Sequence, residues 1–139
     1  MIILDTNVVS ALMRPNDNPV VLAWLDKQAS VSVWTTAITI LEIRFGLMLL
    51  PDGRRRSTLE QAFADYVRED LQERVLVFDA AAADAAASLA AAYRKRGRQI
   101  DFRDIQIAGI ALARKATLAT RNLRHFDDPS LTMINPWQT

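Results

Sequence analysis

The sequence contains no cysteine in its 139 residues, and this absence excludes two kinds of stabilising chemistry. Disulfide bonds cannot form, and no metal ion can be held by thiolates. The absence of cysteine also fits a reducing compartment, so we expect a cytoplasmic protein.

A strong charge of one sign is missing as well. Lys and Arg together number 17 and Asp and Glu number 16, which gives a formal net charge of +1. Such a small charge produces no general attraction for nucleic acid. A polyanionic partner would therefore have to bind at a local basic patch.

Long apolar runs are also absent from the sequence. A helix that crosses a membrane needs about 20 consecutive apolar residues, and no stretch approaches that length. The apolar residues 1–4 are interrupted by Asp5 and are too few for the core of a signal peptide. We expect no membrane partner and no targeting segment.

What is present is the composition of a folded protein, since half of the residues are apolar and 24% are charged. The length allows a real core but not two ordinary domains, so we predict a single domain over residues 1–139. Short β-like runs predict strands at 2–4, 31–34, 75–78, 117–120 and 132–134. Longer periodic segments predict helices at 7–13, 20–28, 37–49, 52–73, 79–96 and 102–115. This alternation predicts an α/β fold with a mainly parallel sheet, because most of the strands are apolar throughout.

Several polar residues stand at the ends of these elements. Asp5 follows the first predicted strand, and Asn122 comes soon after the fourth. Glu42 lies within the otherwise apolar TTAITILEIRFG, and Asp104 lies one turn into DFRDIQIAGIAL. In parallel α/β sheets, ligands bind outside the carboxyl ends of the strands, so these positions are candidates for a functional site.

Each carboxylate also has an ordinary structural explanation. Asp5 can form a turn or cap the next helix, and Asp104 can act with Asp101 in a capping box. Glu42 can pair with an arginine such as Arg14 or Arg44. The apolar neighbours of Glu42 are expected to face the core, where an ionised carboxylate needs a partner; they are Ile38, Leu41, Phe45 and Leu49.

Considered together, the three carboxylates favour a cation site. Asp5, Glu42 and Asp104 cannot be ionised close to one another unless a positive charge neutralises them. A set of ligands made of oxygen atoms suits Mg²⁺ or Mn²⁺ better than Zn²⁺.

Five segments in order along the chain resemble a known family. LDTNVVS, TAITILEIRFG, DIQIAGIAL, LATRNLRHF and INPW are similar to the motifs of PIN-domain ribonucleases, specifically the VapC or FitB-like toxins of type II toxin–antitoxin pairs. The resemblance covers nearly the whole chain. It implies a PIN-like three-layer α/β/α fold whose central sheet has about five strands.

The same resemblance implies roles for individual residues. Asp5, Glu42 and Asp104 match the acidic, metal-binding positions of the family's active site. Asn122 matches a fourth catalytic position that is Asp in many members, and His125 stands where many relatives carry Asp. We interpret His125 as a partly exposed loop residue. Two threonines match hydroxyl residues that line the site and contact substrate, namely Thr6 and Thr120.

The implied activity is Mg²⁺-dependent hydrolysis of RNA by an endoribonuclease, with Mn²⁺ as a substitute metal. The implied partners are RNA, a cognate VapB-like antitoxin that can send a basic residue into the acidic pocket, and a second copy of the chain in a homodimer or a larger assembly. We expect the helix at 37–49 to supply the dimer interface. Arg54 and Arg55, in a run of three arginines, are predicted to contact RNA phosphates. A second basic group ends the helix at 79–96 and continues past it; its members are Arg94, Lys95, Arg96 and Arg98.

Two other functions remain open from the sequence. A strand that ends in Asp also begins the haloacid-dehalogenase-like phosphatases, but these need a second Asp two residues on, where this chain has Asn7. A PIN-like scaffold could also act as a catalytically weak binding module. All three acidic positions of the family's active site carry a carboxylate in this chain, which argues against a catalytically weak binding module.

Overall fold

The computed structural model describes residues 1–138, so the predicted end of the domain at Thr139 lies outside the described residues. Five strands in this range form a parallel sheet in the order β3-β2-β1-β4-β5. Their bounds are β1 Ile2–Leu4, β2 Val33–Thr36, β3 Val75–Leu76, β4 Thr117–Ala119 and β5 Thr132–Ile134. The predicted α/β class and the parallel, five-stranded sheet are confirmed.

Helices cover both faces of the sheet and make three layers. Their bounds are α1 Thr6–Leu12, α2 Pro19–Asp26, α3 Ala37–Met48, α4 Arg54–Asp65, α5 Ala80–Lys95 and α6 Phe102–Arg114. Neighbouring residues of β1 point to opposite faces, as the pleat requires. Ile3 packs in a core formed largely with α5 and α6, whereas Leu4 packs in a second core with α1, α2, α3 and α4.

Some predicted boundaries differ from the observed ones. The strand predicted at 31–34 is β2, which begins two residues later because Ser30–Ser32 forms a 3₁₀ turn. Arg74 stabilises this shifted position, since its side chain donates hydrogen bonds to the carbonyl oxygens of Val33 and Ser30. The helix predicted at 52–73 is α4 followed by a π-helical turn, Tyr66–Asp70. Two apolar side chains of this segment, Phe63 and Leu71, are fully buried and pack it onto the core.

The core-facing side of α3 was predicted incorrectly. Of the four neighbours of Glu42 expected in the core, Ile38 is buried, but Leu41, Phe45 and Leu49 are 55–70% exposed. A helix that is apolar on nearly every side gives no periodic signal that selects one face. The buried residues are instead Ile38, Thr39, Ile43 and Leu47.

Small side chains let α5 and α6 approach closely, as the alanine-rich sequence suggests. A Cβ added to Gly109 of α6 would lie 2.6 Å from the carbonyl oxygen of Ala82 and 2.7 Å from the Cβ of Ala86. Glycine is therefore required at this contact. The close packing places the start of α6, which contains Asp104, at the carboxyl edge of the sheet.

We also compared the helices with the requirements of a membrane span. Among residues 1–138, no helix has both the length and the apolar character needed to cross a membrane.

Candidate active site

Asp5 is the most buried carboxylate of the site. It follows β1, is 3% exposed, and caps α1 by accepting a 2.8 Å hydrogen bond from the backbone N–H of Thr6. The hydroxyl of Thr120 donates to Asp5 Oδ2 over 2.7 Å, and the amide of Asn7 donates to the same oxygen over 3.3 Å. Burial raises the pKa of Asp5, while these hydrogen bonds and His125 oppose the rise. Asp5 is thus both a helix cap and a carboxylate of the site.

Glu42 reaches the same edge from the second turn of α3. The hydroxyl of Thr6 donates to Glu42 Oε1 over 2.9 Å. The Thr6 oxygen also lies 3.2 Å from the buried hydroxyl of Thr39. An arginine partner does exist, but it is Arg103 of α6, whose Nη1 lies 3.7 Å from Glu42 Oε2.

Asp104 completes the carboxylate group from the first turn of α6. Burial, then the charges of Asp5 and Asp101, raise its pKa to about 6; Glu42 adds to the rise, and His125 opposes it. His125 is 57% exposed, and its Nδ1 lies 3.6 Å from Asp104 Oδ2. His125 is therefore a partly exposed loop residue, as predicted, and it also borders the site.

Arg103 stands at the rim of this acidic group and was not predicted from the sequence. Asp101 caps α6 by accepting a 2.8 Å hydrogen bond from the backbone N–H of Arg103, so the predicted capping role of Asp101 is confirmed. The side chain of Arg103 contacts Asp101 and reaches towards Glu42. Its position directly before Asp104 was the available signal, but the contact with Glu42 depends on how α6 crosses α3.

Thr120 and Asn122 extend the site after β4. Thr120 has no exposed surface, and its hydroxyl bonds Asp5, Asn7 and the backbone N–H of Asn122. It cannot touch substrate in this arrangement, which corrects the predicted substrate contact: Thr120 holds Asp5 in position instead. Asn122 is exposed, and its side-chain amide has no hydrogen bond with the described part of the chain.

Arg54 and Arg55 lie away from the carboxylates but are connected to them by a groove. The groove has a volume of about 460 Å³ and runs from Thr6 and Glu42 to Arg14 and Leu59. Arg14, Arg54 and Arg55 surround a second depression of about 400 Å³ at its far side. Arg14 was not predicted as a site residue.

The other arginines of the two predicted basic patches are largely paired. Arg56 forms ion pairs with Asp52 and Glu60, each at 2.9 Å. Arg96 and Arg98 both pair with Asp127. Their charge is therefore partly neutralised within the protein.

The three carboxylates of the site have the oxygen ligands that a hard divalent cation prefers. Asp5, Glu42 and Asp104 offer carboxylate oxygens, and burial raises the pKa of both Asp5 and Asp104, so a bound cation would favour their ionised forms. Within residues 1–138, no three acidic or histidine side chains already enclose a metal position. Hydrogen bonds direct Asp5 and Glu42 towards the threonines, and unneutralised carboxylates stay apart, so cation binding would require them to turn inward.

The chain matches the PIN domain family over residues 2–130. The chain belongs to the PIN-domain family. This PIN domain is 39% identical to VapC ribonuclease Y4jK of Sinorhizobium fredii and 34% identical to Toxin FitB of Neisseria gonorrhoeae, and each alignment covers 99% of both chains. The predicted resemblance to VapC and FitB-like proteins is thereby confirmed.

Solved structures show the same architecture. A structure described as FitAB bound to an IR36 DNA fragment matches the PIN domain with a TM-score of 0.90 and 34% identity, over 100% of this chain and 97% of the other. The three-layer PIN fold expected from the sequence is confirmed at this level of similarity.

Proposed function

We propose that this PIN-domain protein is a metal-dependent endoribonuclease and the toxin of a toxin–antitoxin pair. The observation that supports this most directly is the meeting of Asp5, Glu42 and Asp104 at the carboxyl edge of the sheet, where the charges of Asp5 and Glu42 help to raise the pKa of Asp104. The full-length relatives named VapC ribonuclease Y4jK and Toxin FitB support the same activity.

Asp5, Glu42 and Asp104 would hold the metal, which we propose to be Mg²⁺ with Mn²⁺ as a substitute. When bound, such an ion neutralises phosphate charge and lowers the pKa of a coordinated water. Before a metal binds, the protein's own residues hold two of these carboxylates at the edge of the sheet. Thr120 and the N–H of Thr6 bond Asp5, and the Thr6 hydroxyl bonds Glu42, so these contacts would adjust when a cation draws the carboxylates together.

The surrounding polar groups would bind and orient the RNA. Asn122 is exposed with a free amide next to Thr120, so it can hydrogen-bond the attacking water or the phosphate. The hydroxyl of Thr6, within the same groove as Glu42, faces the substrate side. Arg14, Arg54 and Arg55 would bind phosphates farther along the strand.

Replacement of Asp104 by Asn tests the catalytic proposal. Asp104→Asn keeps the size and packing of the side chain but removes a negative charge, so RNA cleavage in Mg²⁺ should fall by roughly 10²–10³-fold. Cleavage of single-stranded RNA by purified protein is the measurement. Asp84→Asn, at an exposed position of α5, is the matched control and should cleave normally. If Asp104→Asn cleaves RNA as fast as wild type, the proposed mechanism is wrong.

Asp5→Ala tests the same proposal, but it also lowers the stability of the fold. It removes the cap of α1 and leaves the buried Thr120 hydroxyl without its acceptor, so we expect a stability loss of about 1–2 kcal/mol along with lost activity. Asp104 is nearer the surface and serves as no cap.

Arg54 and Arg55 can be tested by the salt dependence of RNA binding. The double replacement Arg54→Ala/Arg55→Ala should weaken binding uniformly across sequences and reduce the slope of log K against log salt by about 1–1.5, because two phosphate contacts are lost. Filter binding of a single-stranded RNA at several salt concentrations measures this. Arg56→Ala removes an arginine that is already paired, so it should leave the slope unchanged. An unchanged slope in the double variant would exclude phosphate contact by Arg54 and Arg55.

An antitoxin partner is supported by the relative solved as FitAB, which contains FitB with a second component. The carboxylate group would accept a basic side chain from such a partner, and the approach of Arg103 to Glu42 already brings one guanidinium to this edge. We expect the cognate VapB-like antitoxin to abolish cleavage when it is added to the purified toxin.

The phosphatase alternative has little physical support. At the position where that chemistry needs a second acid, the amide of Asn7 donates hydrogen bonds to Asp5 and Thr120. Cleavage of RNA that requires a divalent metal would exclude the remaining alternative, a catalytically weak binding module.

A further inference from the structure

We propose that a polar depression beside the carboxylates, on the side of β4 and β5, binds one unpaired nucleotide of the RNA and determines which base is preferred next to the cleaved bond. The proposal rests on the proposed ribonuclease function and adds to it a specificity site. We call this depression the β4–β5 pocket. Its polar lining consists of Arg121, Asn122, Arg124, His125, Asn135 and Gln138.

The pocket lies directly next to the catalytic residues. Its volume is about 410 Å³, within the range of small-ligand sites. His125, which lines it, has its Nδ1 3.6 Å from Asp104 Oδ2. Asn122, another lining residue, donates its backbone N–H to the hydroxyl that holds Asp5. A nucleotide in the pocket would therefore be next to the phosphate at the carboxylates.

The lining has the hydrogen-bonding chemistry of base recognition. Amide side chains both donate and accept, and a guanidinium donates in a fixed fork, so together they can read the edge of an unstacked base. The side chains of Asn122, Arg124 and Gln138 make no hydrogen bond or ion pair with any residue of the described part of the chain. Among residues 1–138, no carboxylate side chain lines the pocket, so this lining is unsuited to a metal ion or to a basic side chain of a protein partner.

The backbone under these side chains is held firmly. Arg98 donates a 3.0 Å hydrogen bond to the carbonyl oxygen of Arg124, and it also pairs with Asp127 in the same loop. On the other wall, the guanidinium of Arg121 stacks over the ring of Trp137 at 4.3 Å. A rigid frame that carries side chains without partners is the arrangement expected of a preorganised binding site.

The groove that contains Glu42 has a more mixed lining. It reaches Arg14 and combines polar side chains with aliphatic ones, among them Leu47, Leu50 and Leu59. Arg121 borders both the groove and the β4–β5 pocket, so the two adjoin; the groove contains Glu42, and the pocket contains His125, which lies next to Asp104. An RNA strand crossing the site would place one base in the polar pocket and run its backbone towards the arginines beyond the groove.

The experiment compares cleavage of an RNA pool randomised around the cut site, with the ends mapped by sequencing. In wild type we expect a base preference at one position next to the cut. Arg124→Ala and Gln138→Ala should each reduce that preference about tenfold, while cleavage continues to require the metal. Arg114→Ala is the matched control; it lies ten residues after Asp104 on α6, roughly 15 Å away, and should keep the preference.

Direct binding provides a second measurement that is independent of cleavage. The side-chain amide NMR signals of Asn122, Asn135 and Gln138 should shift when the four ribonucleoside 5′-monophosphates are titrated, and the shifts should differ among the bases. Arg124→Ala should reduce them.

The outcomes distinguish the pocket from the ribonuclease function. An unchanged base preference in both variants would show that the pocket does not recognise a base. An equal loss of cleavage at all sequences would also contradict base recognition, because it would indicate phosphate contact alone. Reduced affinity for the antitoxin with an unchanged preference would also overturn it and assign the surface to the protein partner. If wild type cleaves no RNA although the amide signals respond to nucleotides, the proposed ribonuclease function is wrong, whereas nucleotide binding in the pocket is supported.

Discussion

Asp104 is the residue at which the electrostatics of the site are most visible. Burial and the negative charges of Asp5, Asp101 and Glu42 all raise its pKa. The environment of Asp104 therefore disfavours its ionised form. In the folded protein without metal, its pKa of about 6 lies well above the ordinary value of 3.8. Its ionised form is thus destabilising until a cation is bound.

The raised pKa of Asp104 makes the stability of the metal-free protein depend on pH. Between pH 4 and 6, folded Asp104 keeps a proton that the unfolded chain has released, so Asp104 makes the protein less stable as pH rises through this interval. Asp104→Asn should therefore be more stable than metal-free wild type by about 1–2 kcal/mol at pH 7, and nearly equal to it at pH 4. Thermal unfolding of both proteins at several pH values, with chelator, measures the difference.

Comparison of the two proteins at each pH removes the contributions of other carboxylates. Mg²⁺ or Mn²⁺ should stabilise wild type more than Asp104→Asn, since binding to the folded state raises its stability. A variant less stable than metal-free wild type at pH 7 would show that Asp104 is not electrostatically strained.

The sequence predicts Asp5, Glu42 and Asp104 as site residues because all three fall in family motifs; Asp5 also follows a strand, whereas the other two interrupt largely apolar helices. It did not identify Arg103 or Thr39, because the role of Arg103 depends on how α6 approaches Glu42 of α3, and that of Thr39 depends on how α3 approaches Thr6 of α1. A signal for Thr39 exists in the threonines of TTAIT, but threonine at a helix start is equally typical of capping, which Thr36 performs here.

At the level of elements, the contact between α5 and α6 depends on one glycine. In Gly109→Ala, the new Cβ would meet the Ala82 backbone and the Ala86 Cβ at less than 3.0 Å, and neither neighbour is the end of a flexible side chain. The helices must separate, so we expect a stability loss of about 1–3 kcal/mol. Urea unfolding measures this loss.

Gly46 provides the matched control in the interior of α3. A Cβ there meets no atom within 4 Å, so Gly46→Ala should stabilise the protein by about 1 kcal/mol through helix propensity alone. Equal effects of the two substitutions would mean that the close contact between α5 and α6 is absent in solution.

The bounds of the helices and strands could be predicted from the sequence better than which side of a helix faces the core. β1 and β5 begin and end where the sequence predicts, and each is followed directly by a polar residue, Asp5 and Asn135, that ends the apolar run. The outward face of α3 could not be predicted, because Leu41 and Phe45 are as apolar as the buried Ile43 and Leu47. Only the position of the neighbouring helices decides which side is covered.

At the level of the whole molecule, that outward face of α3 is an apolar surface open to solvent. Leu41, Phe45, Met48 and Leu49 recur at helical spacing and are 55–70% exposed. Contiguous apolar surface of this kind typically marks an interface. It is the surface on which the homodimer expected from the family resemblance would form.

Phe45→Glu tests this interface by placing a charge at its centre. We expect the variant to be monomeric at concentrations where wild type is dimeric, as measured by sedimentation velocity or light scattering. Val31→Glu, which charges an exposed apolar residue outside α3, should leave the dimer intact. A dimer that persists in Phe45→Glu would place the interface elsewhere.

The strand order has a consequence for synthesis on the ribosome. β1 is the central strand, and the backbone N–H of Asp5 donates to the carbonyl oxygen of Ala119 in β4. One edge of β1 can pair early with β2, but its other edge has no partner until β4 has been made. Thr120, which orients Asp5, also emerges after both Glu42 and Asp104. If the proposed catalytic site is correct, a nascent chain that is cut short before β4 would therefore lack a formed catalytic centre.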